Sequence, residues 1–219
     1  MSATVTIWSD VHCPWATVVI HRLRRARERH GLDVVFDQRP WPLEWINDRG
    51  TPRHIVEPET AVLAAHEPDL FSRYRGETWP ATFLPAFELI AAAREVHGLR
   101  AAEEVDYHLR LAFFRESLDV SLRHNLAAAA AAAGSDPPCE LDPDAVLRAW
   151  DTRPVRAAVV GDFARSKELP IQGSPQIFWP GGGTTHNPGM ADHTWVRGIP
   201  RIASTDPDAP ARLLCAALG

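Results

Sequence analysis

The chain has 219 residues, 45% hydrophobic and 23% charged, a balance that can bury a sizeable core and excludes a disordered composition. Lys and Arg total 23 against 28 Asp and Glu, a formal charge of −5, which argues against broad binding to a nucleic-acid backbone. Residues Met1 to Asp10 show neither a basic leader nor an apolar signal run, and no later stretch nears the roughly 18 apolar residues of a membrane span. The cytoplasm is therefore the expected location, with no membrane and no nucleic acid among the partners. The three cysteines, Cys13, Cys139 and Cys215, are odd in number and unclustered, unlike a disulfide scaffold or a zinc site.

Ala3 to Trp8, rich in β-branched residues, predicts a strand. From Pro14 to His30 the apolar positions Trp15, Val19, Leu23 and Ala26 recur at helical spacing; Pro14 suits the first turn and Gly31 the stop. Leu32 to Gln38 predicts a second strand, so the chain opens βαβ, and Pro40 and Pro42 interrupt any further ladder. Nearly everything from Pro58 to Leu169 has helical composition. Within it, Pro85 to His97 and Ala101 to Glu116 predict helices, Ser121 caps a third that runs to Ala133, Asp142-Pro143 starts another, and one more follows Pro154 as far as Glu168. Gln172 to Trp179 predicts a strand, Pro180 to Gly183 a turn, and Asp206-Pro207 the start of a short final helix. Residues 1–50 and 160–219 thus build one α/β lobe, and residues 51–159 form a helical insertion lobe.

Cys13 falls where a strand ends and a helix begins, so its sulfur faces unpaired N–H groups and the positive end of a helix dipole. Such a site lowers a thiol pKa, typically into a range of roughly 3.5 to 7.5, and the competing reading is a small buried hydrophobe. His12 supports the thiolate by charge, or else packs or faces solvent. Trp15 and Trp41 form an aromatic wall at the site, or else pack in the core. Glu103, Glu104 and Asp106, with Arg100 and Arg110 nearby, read as a solvated charged face. Gly181 to Gly183 lack the Lys-Ser/Thr ending of a phosphate loop, and His186 and His193 have no acidic or cysteine partners at metal-ligand spacing, so no metal is expected.

Trp8-Ser9-Asp10-Val11-His12-Cys13-Pro14-Trp15 resembles the active-site entry of the DsbA-like branch of the thioredoxin superfamily, with FrnE-like members the best match. The likeness extends along the chain. Arg39-Pro40-Trp41-Pro42-Leu43 resembles the segment after the second strand of that family, Ala112-Phe113-Phe114 and Leu118-Asp119-Val120-Ser121 part of its helical insert, and Gly173-Ser174-Pro175-Gln176-Ile177-Phe178 its cis-proline loop. The related hydroxychromene-carboxylate isomerases and kappa-class glutathione transferases usually carry serine where Cys13 stands.

The resemblance implies an α/β, thioredoxin-like fold with a large all-helical insertion and Cys13 as the nucleophile. It also implies that Pro175 lies beside Cys13 after a cis bond, and that Pro14, Trp15, Ser174, Pro175, His12 and Trp41 contact substrate. Dithiol members carry a second cysteine where this chain has Ala16, so the resolving thiol is lost and release needs a small thiol, another protein thiol or a remote cysteine such as Cys139. The expected chemistry is thiol–disulfide exchange through one sulfur. The rivals are an isomerase or transferase that uses a small thiol on an aromatic or polyketide-like molecule, and a non-catalytic binding module. No tightly bound cofactor is expected. Glutathione or another low-molecular-weight thiol serves as cosubstrate, the partners are that thiol and a small-molecule or disulfide substrate, and the surface leaves room for a homodimer.

Overall fold

Parallel pairing of the first two strands sets the frame of the molecule. In the computed structural model, which describes residues 2–50, 52–135, 139–190 and 192–219, strand β1 (Ala3–Ser9) lies alongside β2 (Val34–Pro40), with Ala3 opposite Val34 and Ser9 opposite Pro40. Helix α1 (Pro14–His30) makes the crossover. It buries Val18, Val19, Ile20 and Leu23 completely, each worth about 1.5 to 3 kcal/mol of transfer free energy. Gly31 stops it as the spacing predicts: the residue is left-handed at φ 59°, and the Leu32 N–H reaches back to the Arg27 carbonyl at 3.0 Å.

Beyond β2 the chain runs through α2 (Leu43–Ile46), α3 (Arg53–Leu63), α4 (Leu84–His97), α5 (Leu99–Phe114), α6 (Arg123–Ser135), α7 (Pro143–Thr152) and α8 (Val155–Ser166). Asp142 caps α7 as expected, its carboxylate accepting from the N–H groups of Asp144 and Ala145. Three expectations need correction. Helix starts before Pro58, at Arg53, and residues 64–83 are not helical, because Pro68, Gly76 and Pro80 break the ladder while Phe71, Tyr74, Trp79 and Phe83 gather around Phe113 and Phe114. Ser121 does not cap α6: its N–H and hydroxyl both bond Asp119.

The third correction concerns the charged face of α5, which is buried. Glu103, Glu104, Asp106 and Arg110 are all under 5% exposed. Arg24 and Arg27 of α1 reach across to Glu103 at 2.8 and 2.6 Å, Arg24 also pairs with Glu104 at 2.7 Å, and Glu103 accepts the Phe36 N–H. The charges were legible in sequence, but their partners are about 80 residues away, so local spacing read them as solvated.

Strands β3 (Gln176–Phe178) and β4 (Thr184–His186) complete a four-stranded sheet in the order β2-β1-β3-β4, with β3 antiparallel to both neighbours. β3 is shorter than predicted, since Pro175 has no N–H to pair and the Gln172 N–H goes to the Gln176 side chain. Strands β5 (His193–Val196) and β6 (Ile199–Ile202) form a separate hairpin. The final helix α9 (Ala209–Leu218) starts two residues later than Asp206-Pro207 predicts, with Asp208 at its N-cap and the Ala209 N–H bonded to the Asp206 carbonyl at 3.2 Å. One hydrophobic core is shared by the sheet, α1 and the insertion.

Candidate functional site

Cys13 occupies the N-cap of α1, with extended backbone at φ −78° and ψ 112°. Its sulfur accepts the Ala16 N–H at 3.5 Å, and its S–H donates to the Ser174 carbonyl at 3.2 Å. The Ser174–Pro175 peptide bond is cis. Asp10 knots these segments together: its N–H bonds Ser174 Oγ at 2.9 Å, and its carboxylate accepts from the N–H groups of His12 at 2.9 Å and Leu43 at 2.6 Å. His12 does not face solvent. Its Nδ1 lies 2.6 Å from Asp10 Oδ1 and its ring stacks on Phe83 at 4.3 Å.

The electrostatics reverse the expectation of an acidic thiol. Burial pushes Cys13 up to about 12, the Glu59 carboxylate adds to the rise, the bonds to Ser174 and Ala16 oppose it, and Asp10 raises it further. The helix start contributes one long N–H contact, too little to offset a desolvated sulfur. Burial also raises Cys139. Glu59, on α3, accepts the Trp15 indole N–H at 2.8 Å; burial pushes its carboxyl up to about 7, against that bond and the charge of His12.

A cavity of about 400 Å³ opens beside the sulfur. His12, Cys13, Pro14 and Trp15 form one wall, Trp41 with α2 and α3 another, and Ser174, His186, His193 and Trp195 the third. Pro175 is buried behind Ser174 and is not part of the lining, and Ala16 is buried within α1. Trp15 serves both readings given for it, since it is 5% exposed in the core yet lines the cavity and stacks on His193 at 4.3 Å; Trp41 lines it half-buried. Gly173 makes room for His186, because a Cβ there would fall 2.6 Å from His186 Nε2.

Cys139 and Cys215 stand outside this lining, and Asp136, Pro137 and Pro138 before Cys139 lie outside the described residues. Among the described residues no group of three or more His, Cys, Asp and Glu is gathered to hold a metal, and no helix is long and apolar enough to cross a membrane. Sequence reasoning missed Glu59, gave Asp10 no role beyond its place in the motif, and read Arg110 as solvated where it is buried. Arg110 and Asp106 do carry an i,i+4 ion-pair spacing, but nothing local signals that Glu59 meets Trp15 across 44 residues.

Strand, cysteine at a helix start, crossover and helical insertion define a class, and comparison with known proteins supplies its name. Residues 4–195 match the DSBA-like thioredoxin domain, so the chain belongs to that family. Its fold is accordingly α/β and thioredoxin-like, with a large helical insertion. Cytosolic disulfide reductase DsbM from Pseudomonas aeruginosa superposes with a TM-score of 0.62 at 18% identity, over 97% of each chain. A protein from Nitrosomonas europaea solved as a candidate protein disulfide isomerase gives 0.67 at 12% identity, over 99% of this chain and 97% of its own. A 2-hydroxychromene-2-carboxylate isomerase gives 0.57 at 15% identity, over 83% of this chain and 87% of its own. No curated protein matches the sequence.

Proposed function

We propose that this protein exchanges thiols and disulfides through Cys13 alone, with a small thiol as cosubstrate. The observation that carries the reading is the placement of the sulfur: N-cap of α1, 3.2 Å from the Ser174 carbonyl, on the wall of a cavity large enough for a small molecule. The thiolate of Cys13 attacks a disulfide, one S–S bond forms as the other breaks, and the leaving thiolate takes a proton. Ala16 offers no second sulfur, so a small thiol attacks the mixed disulfide and frees Cys13. DsbM has been solved with GSH, which makes glutathione the first thiol to try. Ser174, Pro14, Trp15, His12 and Trp41 wall the bound molecule. The working compartment in this reading is the cytoplasm, that given for DsbM.

The raised Cys13 thiol favours a second reading, in which Cys13 stays protonated and donates to the sulfur of a bound small thiol that acts on another molecule. A reductase assay with excess glutathione separates the two. Exchange predicts turnover of a small disulfide that disappears in Cys13→Ser; the second reading predicts no turnover, and thermal stabilisation by glutathione that survives in Cys13→Ser.

A further inference from the structure

We propose that the cavity beside Cys13 takes disulfides that carry a positively charged amino group, with the ammonium seated between Glu59 and the tryptophan walls. This rests on the exchange reading above and names its substrate class. Glu59 is the only carboxylate lining the cavity among the described residues. It projects from the insertion lobe and is held by the Trp15 indole N–H at 2.8 Å. That bond uses one of about four acceptor sites on a carboxylate, and a half-buried carboxylate so sparsely bonded gains from an incoming donor.

Within the rest of the lining the indoles act in the same sense, and the charges of His12 and His193 act against it. Trp15, Trp41 and Trp195 bring three indoles to the same cavity, and indole faces attract cations. Arg49, the guanidinium of the lining, is exposed, so solvent and salt screen it. Burial and the charge of His193 hold His186 below the usual imidazole range. An anionic occupant would meet a half-buried carboxylate at the same place.

Such a substrate also prepares its own nucleophile. The Glu59 charge is one cause of the raised Cys13 thiol, and an ammonium paired with Glu59 cancels it. The Cys13 proton passes to solvent and the thiolate attacks the nearer substrate sulfur. The Cys13–sulfur bond forms as the substrate S–S bond breaks, and the departing aminothiolate takes a proton from solvent. One disulfide replaces another, with no further oxidant or reductant.

The test uses protein in which Cys139→Ser and Cys215→Ser leave Cys13 as the only thiol, at about pH 8, where Glu59 is ionised. Mass spectrometry follows mixed-disulfide formation with cystamine, with neutral bis(hydroxyethyl) disulfide and with anionic dithiodipropionate. The urea-unfolded protein gives the intrinsic reactivity of each reagent. The folded protein should favour cystamine over the neutral reagent by about tenfold beyond the unfolded ratio, with the anion slowest. Glu59→Gln keeps an acceptor for Trp15; it should cut the preference to the part the indoles supply, about threefold or less, while the neutral reagent reacts at least as fast as before. Equal normalised rates, an anionic preference, or a preference that survives undiminished in Glu59→Gln would overturn the proposal and leave exchange standing. Failure of all three reagents on the folded protein would overturn the exchange reading itself, and the parent ratio decides alone if Glu59→Gln does not fold.

Discussion

Arg110, in the middle of the insertion, donates to the backbone carbonyl of Asp10 at 2.8 Å, three residues before Cys13. The same guanidinium bonds Ser9 Oγ at 2.8 Å and pairs with Asp106 at 2.8 Å, entirely out of solvent. The insertion therefore braces the loop that carries the sulfur. Removing one member of a buried pair leaves the other charge uncompensated, so Arg110→Met should cost about 3 to 5 kcal/mol in urea unfolding. Arg110→Met combined with Asp106→Leu should recover part of it. A loss under about 1 kcal/mol would mean that the network contributes little.

Cys13 should be a slow thiol in the free protein. At about pH 8, iodoacetamide should label Cys215 before Cys13, and the Cys13 rate should keep climbing beyond pH 10, as a thiol pushed up to about 12 requires. Peptide-resolved mass spectrometry reads both. A Cys13 rate that levels off near neutral pH would restore the acidic thiol expected from its helix-start position.

Glu59 should make stability fall as pH rises. Its folded pKa of about 7 lies above the unfolded value of 4.5, so between these values the folded state holds the extra proton. The folded state therefore loses relative stability across that window, and the penalty is complete above pH 7. Glu59→Gln should match the parent near pH 4 and be more stable by about 2 kcal/mol at pH 8. Chemical denaturation at the two pH values checks this; equal stability at pH 8 would mean that the carboxylate is fully solvated.

Ala16→Cys should create an internal disulfide. The Ala16 N–H already faces the Cys13 sulfur at 3.5 Å, and positions three apart at a helix start share a face. Mild oxidant should remove two thiols from the variant and exchange should lose its dependence on added thiol. Because Ala16 is fully buried, the extra sulfur should cost about 1 kcal/mol in the reduced form. A variant that folds yet stays reduced would show that the two side chains diverge.

The opening βαβ unit was readable because its signals are local: β-branched runs, a helical period from Trp15 to Ala26, Pro14 at one end and Gly31 at the other. Cys13 and Ser174 were found through local motifs that the family resemblance joined. What stayed hidden is long-range. Whether Glu103 is solvated depends on Arg24 and Arg27 of another helix, and whether Cys13 is acidic depends on how deeply the assembled fold buries it. The irregular path of residues 64–83 follows from aromatic packing on Phe113, which overrides helical composition.

Cys13 as the exchanging sulfur is tested most directly by intact-mass measurement on the Cys139→Ser, Cys215→Ser protein. Treated with bis(hydroxyethyl) disulfide and then with glutathione, it should gain one adduct, map it to Cys13, and lose it to the added thiol. A folded protein that stays unmodified, while its unfolded form is labelled, would contradict the account.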